Sequence, residues 1–91
     1  MSDQRRPMIA PGVRLETDKV TREPVLLYPE GILQLNETAH AIVERCDGLT
    51  SVASIIAALA AEYEISEDEL ARDVNECLDD LQQRNLIAFA S

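Results

Sequence analysis

The stretch from Val25 to Cys46 leaves this chain few ways to fold. Val25 to Tyr28 is a short run of branched and aromatic residues, suited to a buried strand. Tyr28-Pro29-Glu30-Gly31 puts Pro at the second turn position and Gly at the fourth, the pattern of a type I turn. Ile32 to Leu35 reads as a returning strand, so the two runs make a β-hairpin. Asn36 follows, with a side-chain oxygen able to accept from the free N–H groups of a helix's first turn. Glu37 suits the positive end of that helix. Hairpin and helix are joined with almost no linker, so the rest of the chain must pair with this unit or pack on it.

Upstream, residues 1–10 are polar, contain Pro7 and are closed off by Pro11-Gly12. They offer little burial against the entropy of ordering, so a mobile tail is expected there. Val13 to Glu16 alternates apolar and charged side chains, as a half-exposed strand does. Thr17 to Glu23 reads as a loop, and Pro24, which cannot donate to a ladder, fits the first residue of the next strand. The first third is thus expected to be a three-stranded meander.

Downstream, three helices are expected. The first runs from Glu37 to Cys46, with Ala39, Ile42, Val43 and Cys46 on one face and Asp47-Gly48 as its end. The second starts after a Thr50 or Ser51 cap and turns Val52, Ile55, Ile56, Leu59 and Tyr63 inward. In the third, Ser66 and Glu69 form a capping box, with Ile65 and Leu70 at the staple positions. Leu70, Val74, Cys77, Leu78 and Leu81 then make an apolar stripe. Asn85 closes that helix, and Leu86 to Phe89 is a short extended segment that covers core. Ninety-one residues with 46% apolar composition allow one domain with a modest core. The fold class is α+β: a winged-helix-like arrangement of a three-stranded antiparallel sheet followed by a three-helix bundle.

Winged helices commonly place a helix in the DNA major groove. Here the third helix carries Glu67, Asp68, Glu69, Asp73, Glu76, Asp79 and Asp80 against Arg72 and Arg84, a net charge of −5. Such a surface forfeits the counterion release that drives DNA affinity. The whole-chain charge of −9, with one Phe and no Trp, also argues against nucleic acid and anionic lipid as partners. No apolar run approaches the roughly 18 residues that span a bilayer. Met1 to Pro7 has basic residues but no apolar segment after them, so a secretory signal is not expected. A cytoplasmic protein is expected.

In order and spacing, Leu26-Leu27-Tyr28-Pro29-Glu30-Gly31, Leu35-Asn36 and Cys46-Asp47-Gly48 with Val52 and Ile56 resemble the PqqD family of pyrroloquinoline quinone biosynthesis. The resemblance extends from about Pro11 and Arg14 to Leu86-Ile87. It implies a non-catalytic peptide chaperone that holds the ribosomal precursor peptide PqqA. The chaperone would present that peptide to the radical S-adenosylmethionine enzyme PqqE, which cross-links a Glu and a Tyr within it. It also implies that the peptide adds as a strand beside the third strand of the meander, with side chains resting on the third helix. On this reading residues 11–91 are a single peptide-recognition domain behind a flexible tail.

The residues permit that mode. The strand from Ile32 to Leu35 has one open side and no Lys or internal Pro to block pairing, and an unpaired edge is a template for another strand. Ile32, Leu33, Gln34 and Leu35 are the expected pairing residues. Leu70, Asp73, Val74 and Cys77 are expected to line the groove beside them, and Glu76 and Asp80 to form a surface for the partner enzyme. The core roles of Leu70, Val74 and Cys77 and the solvated role of the acidic flank stand as the plainer readings.

Catalysis finds little support. His40 is the only histidine and has no Cys or carboxylate at a convincing spacing. Cys46 and Cys77 lack any Cys-x-x-Cys or His-x-Cys partner, so no metal or iron–sulfur signature exists. With only three glycines there is no phosphate loop, and no cofactor is expected. Two other non-enzymatic classes stay open. An acidic acyl carrier would need an Asp-Ser-Leu at a helix start, which this chain lacks. A small winged-helix regulator could form a homodimer through the same open strand.

Overall fold

The computed structural model describes residues 3–90. The chain runs β1 (Arg6–Ile9), β2 (Arg14–Thr17), β3 (Pro24–Tyr28), β4 (Gly31–Gln34), α1 (Glu37–Val43), α2 (Val52–Tyr63), α3 (Glu67–Gln83) and β5 (Ile87–Ala90). The expected three-stranded antiparallel meander is present in the order β2-β3-β4, followed by three helices. Pro24 opens β3, at the strand end where a missing ladder donor is best tolerated. Pro29 and Glu30 join β3 to β4 through the pair Tyr28↔Gly31. Neither residue takes a positive φ, which excludes the primed turns and type II and fits the type I expectation.

The helix starts follow their caps. The Asn36 side chain accepts from the Ala39 N–H at 2.7 Å, Ser51 from Ser54 at 3.1 Å and Ser66 from Glu69 at 3.2 Å. At the far end of α3, Asn85 takes φ 61°. The Leu86 N–H then donates to the Leu81 carbonyl and the Asn85 N–H to that of Gln82, the paired closure of a Schellman end. The expected closing role of Asn85 is therefore met. The end of α2 is less well served, because Glu64 occupies the left-handed position at φ 56°. A side chain there costs about 1 kcal/mol relative to glycine, and a carboxylate also faces the negative end of the helix dipole. Glu64→Gly is expected to raise stability by about 1 kcal/mol in a urea titration.

Leu26 from β3 meets Ile42 of α1, Ile55 and Leu59 of α2, and Val74 and Leu78 of α3 in one core. Each of these side chains is fully buried. Tyr63, expected inward on α2, is instead 37% exposed. It belongs to the helix's last turn, where the chain leaves the bundle.

Two expectations are corrected together. Arg6–Ile9 is not a mobile tail but a strand, antiparallel to β5 in the register Arg6↔Ala90 to Ile9↔Ile87; Met1 and Ser2 lie outside the described residues. Pro7 is fully buried in this arm. The Arg5 and Asp3 carbonyls accept from the Val52 and Ala53 N–H groups, which satisfies donors that the first turn of α2 leaves free. Arg5 pairs with Asp3 at 2.8 Å, stacks 4.5 Å over the Phe89 ring and reaches Asn75. The second correction follows from the first. Helix α1 ends at Val43 rather than Cys46, so that Asp47 and Gly48 can dock on β1. The Gly48 N–H donates to the Pro7 carbonyl at 2.9 Å. Gly48 takes φ +77°, and a Cβ there would lie 3.4 Å from that of Met8. Its freedom serves this close approach, not the end of the helix.

A groove beside an unguarded strand edge

The β4 edge is open, and its ladder decides which groups it offers. The Leu35 N–H donates to the Pro24 carbonyl at 3.0 Å, and the register pairs Leu26 with Leu33 and Tyr28 with Gly31. Antiparallel pairs alternate, so Gly31, Leu33 and Leu35 turn their main-chain groups toward β3. Ile32 and Gln34 turn theirs outward. Four residues were expected to pair with a peptide strand; only these two can lend main-chain bonds, since the main-chain groups of Leu33 and Leu35 face β3, where the Leu35 N–H donates to Pro24.

The side chains divide the other way. Leu33 and Leu35 lie on the helix side, Leu35 buried and Leu33 packed against the core, whereas Ile32 is 58% exposed. No charge and no Pro guards β4. The opposite edge, β2, carries Arg14 and Glu16 with 3.9 Å between their charged groups, a device that discourages added strands.

Beside β4 lies a cavity of about 480 Å³. One wall is Leu33, Gln34 and Leu35; the start of α1 supplies Asn36, Thr38 and Ala39; α3 supplies Asp73, Glu76, Cys77, Asp80 and Leu81. Of the expected groove residues, Asp73 and Cys77 are in place. Leu70 and Val74 are not: at 1% and 0% exposure they are core. The reason is helical spacing. Positions 70, 74, 78 and 81 make the stripe facing the bundle, whereas 73, 76, 77 and 80 make a neighbouring stripe that faces the groove. Apolarity grouped Leu70 and Val74 with Cys77, although the groove stripe is mostly acidic. Glu76 and Asp80, assigned from sequence to the partner enzyme, line the groove itself.

Asn36, Thr38, Ala39 and Leu81 were not among the residues expected at the site. The missing linker between β4 and α1 was the signal for the first three, since it forces the first turn of α1 against the end of the strand.

Arg84 holds Asp80 at 3.1 Å. The Cys77 thiol is pushed up to about 11, by burial first and then by the Asp80 charge. Burial, with smaller contributions from Cys77 and Asp47, pushes Cys46 up to about 12, and its Sγ donates to the Ile42 carbonyl at 3.4 Å. Both thiols stay protonated at neutral pH and are poor nucleophiles. Labelling with a maleimide at pH 7 is expected to be slow at Cys77 and blocked at Cys46 until unfolding. Because the unfolded thiols ionise near 9 and the folded ones above it, stability should fall as pH rises from about 9 to 11. His40 lies on α1 with Nε2 3.5 Å from Glu44. Among the described residues no group of three His, Cys, Asp or Glu side chains is arranged to hold a metal, and no helix is long and apolar enough to cross a membrane.

A small winged-helix-like domain whose unpaired strand edge runs along a helix-walled groove defines a class of domain able to take up an extended peptide as an added strand. Residues 23–87 match the family described as coenzyme PQQ synthesis protein D, and the chain belongs to this PqqD family. It is 38% identical over 82 residues to the PqqA binding protein of Xanthomonas axonopodis pv. citri (strain 306), covering 90% of this chain and 89% of that one. It is 38% identical over 90 residues to the PqqA binding protein of Rhodopseudomonas palustris (strain ATCC BAA-98 / CGA009), covering 99% and 88%. The solution structure of the PqqD truncation of Methylobacterium extorquens PqqCD superimposes with a TM-score of 0.78 at 30% identity, covering 90% of this chain and 87% of that one. That protein is described as a functional and stand-alone recognition element for ribosomally synthesised and post-translationally modified peptides. The crystal structure of PqqD from Xanthomonas campestris gives a TM-score of 0.60 at 38% identity, with 84% of each chain covered.

Proposed function

We propose that this protein binds the precursor peptide PqqA by strand addition on β4 and presents it to the radical S-adenosylmethionine enzyme PqqE in pyrroloquinoline quinone biosynthesis. The peptide-recognition unit is residues 11–91, with the β1 arm strapped across it. The observation that carries this reading is the outward-facing main chain of Ile32 and Gln34 beside the α3 groove. Two unpaired rungs supply sequence-tolerant affinity, and the groove supplies selection.

The physical chemistry assigns the parts. A peptide residue opposite Leu33 turns its side chain toward the helices, over a floor of Leu33, Leu35, Ala39, Cys77 and Leu81. Asp73, Glu76 and Asp80 face it from α3. Nothing in the groove needs to react, because holding an otherwise flexible peptide extended lowers the entropy that the enzyme must remove before its chemistry. The names borne by the relatives support PqqA as the peptide, and family membership supports a step of coenzyme PQQ synthesis; PqqE as the recipient follows from the family resemblance.

An amide NMR titration with PqqA, repeated with a scrambled peptide, tests the proposal. Shifts at Ile32–Leu35 and along Asp73–Asp80, for the true peptide only, are the expected result. A folded monomer silent at both places would refute it. A homodimer paired through β4 would occupy the same edge, and would dissociate as the peptide is added.

A further inference from the structure

The meander has a second face, turned away from the helices. Alternation along the strands puts Leu26, Leu33 and Leu35 on the helix side, where they join the core or pack on it. The outer face carries Arg14 and Glu16 of β2, Val25 and Leu27 of β3, and Ile32 and Gln34 of β4. The register sets these six in two rows across the sheet, Arg14–Leu27–Ile32 and Glu16–Val25–Gln34. Each row ends in a charge at β2 and is open at β4. The first row opens on Ile32, which is 58% exposed and has partly buried Leu27 as its neighbour on the closed side. The second opens on the polar amide of Gln34, which is also exposed.

A strand added on β4 continues both rows. Whichever way it runs, its residues opposite Ile32 and Gln34 put their side chains on the same outer face, roughly 5 Å from those two. The residue between them turns the other way, into the α3 groove. A branched apolar side chain exposed on an uncharged edge is a liability unless an occupant covers it. Resting on the β4 reading of the proposed function, we infer that Ile32 is a specificity-determining residue, which selects an apolar β-branched or aromatic side chain at the peptide position opposite it. Such a side chain forms a cross-strand pair with Ile32 and extends the apolar row begun by Leu27. The peptide position opposite Gln34 meets a polar amide and carries no such demand. The peptide is then read on two faces: one residue in the α3 groove, and its neighbour in sequence against Ile32 on the outside of the sheet.

The experiment uses the whole protein, isotope-labelled at its amides and isoleucine methyl groups, with unlabelled PqqA. Intermolecular NOEs from the Ile32 methyl groups to one apolar side chain of the peptide are expected. Ile32→Thr keeps the N–H and the branched Cβ but loses the apolar end of the side chain. Read well below its melting transition, this variant should bind PqqA roughly two- to fivefold more weakly than wild type. Alanine at the contacted peptide residue should weaken binding to wild type by a similar factor, and binding to Ile32→Thr hardly further, because the two changes remove one shared contact. If the Ile32 and Gln34 amides shift but the Ile32 methyl groups give no NOE to the peptide, or if Ile32→Thr keeps full affinity, the inference is overturned and the β4 site stands. If neither amide shifts, the β4 reading fails and takes the inference with it.

Discussion

Ile32→Pro yields a protein that folds and no longer holds its peptide, whereas Leu33→Pro, one residue on, weakens the fold. The two positions differ in which side of β4 their N–H groups face and in packing, Ile32 being exposed and Leu33 packed against the core. At Ile32 the N–H points away from β3, so a pyrrolidine ring costs the meander no bond and sits where edge prolines are tolerated. It removes the donor that β4 offers the incoming strand and leaves a peptide carbonyl unpaired, worth about 1–3 kcal/mol, or roughly five- to 150-fold in affinity. At Leu33 the N–H belongs to the pair with Leu26, whose side chain is fully buried. Proline there orphans a carbonyl inside the sheet and thrusts its ring toward β3. Thermal unfolding and a peptide titration, run on both variants, separate the effects. Wild-type affinity in Ile32→Pro would end the strand-addition model.

Leu70→Ala does the reverse. Leu70 is 1% exposed and packs in the bundle core rather than the groove, so truncation leaves a cavity and costs about 2–5 kcal/mol. For a domain of this size each kcal/mol is worth about 4–8 °C in melting temperature, so the loss is large and easily measured. Peptide affinity of the folded fraction should be unchanged at a temperature well below the transition. A weakened affinity with an unchanged melting temperature would return Leu70 to the groove wall and contradict its placement in the core.

Local chemistry was legible wherever it acts over a few residues. Pro24 at a strand start, the Pro29-Glu30 turn, and the caps Asn36, Ser51 and Ser66 each follow from one side chain meeting its neighbours' main chain. The β4 edge was legible for the same reason, since a meander with an uncharged last strand must leave it open. Groove membership was only half legible. Asp73 and Cys77 line the groove, whereas Leu70 and Val74 share the apolarity of Cys77 but lie in the core, and Asn36, Thr38 and Ala39 line the groove from outside its helix, where no helical stripe points to them.

What the sequence determined by itself was the order of the meander and the three helices, their caps and turns, and the presence of an unguarded edge, because each depends on contacts between residues close in the chain. The tertiary structure alone decided the rest. It drew Arg6–Ile9 onto β5 across nearly the whole chain length, and that pairing shortened α1 and gave Gly48 its role. It also settled which rungs of β4 are free and which stripe of α3 faces them. Four residues around a proline are too short a pattern to announce a strand; the partners that hold it, the β5 main chain and the core that buries Pro7 and packs on Ile9, are present only once the bundle has formed.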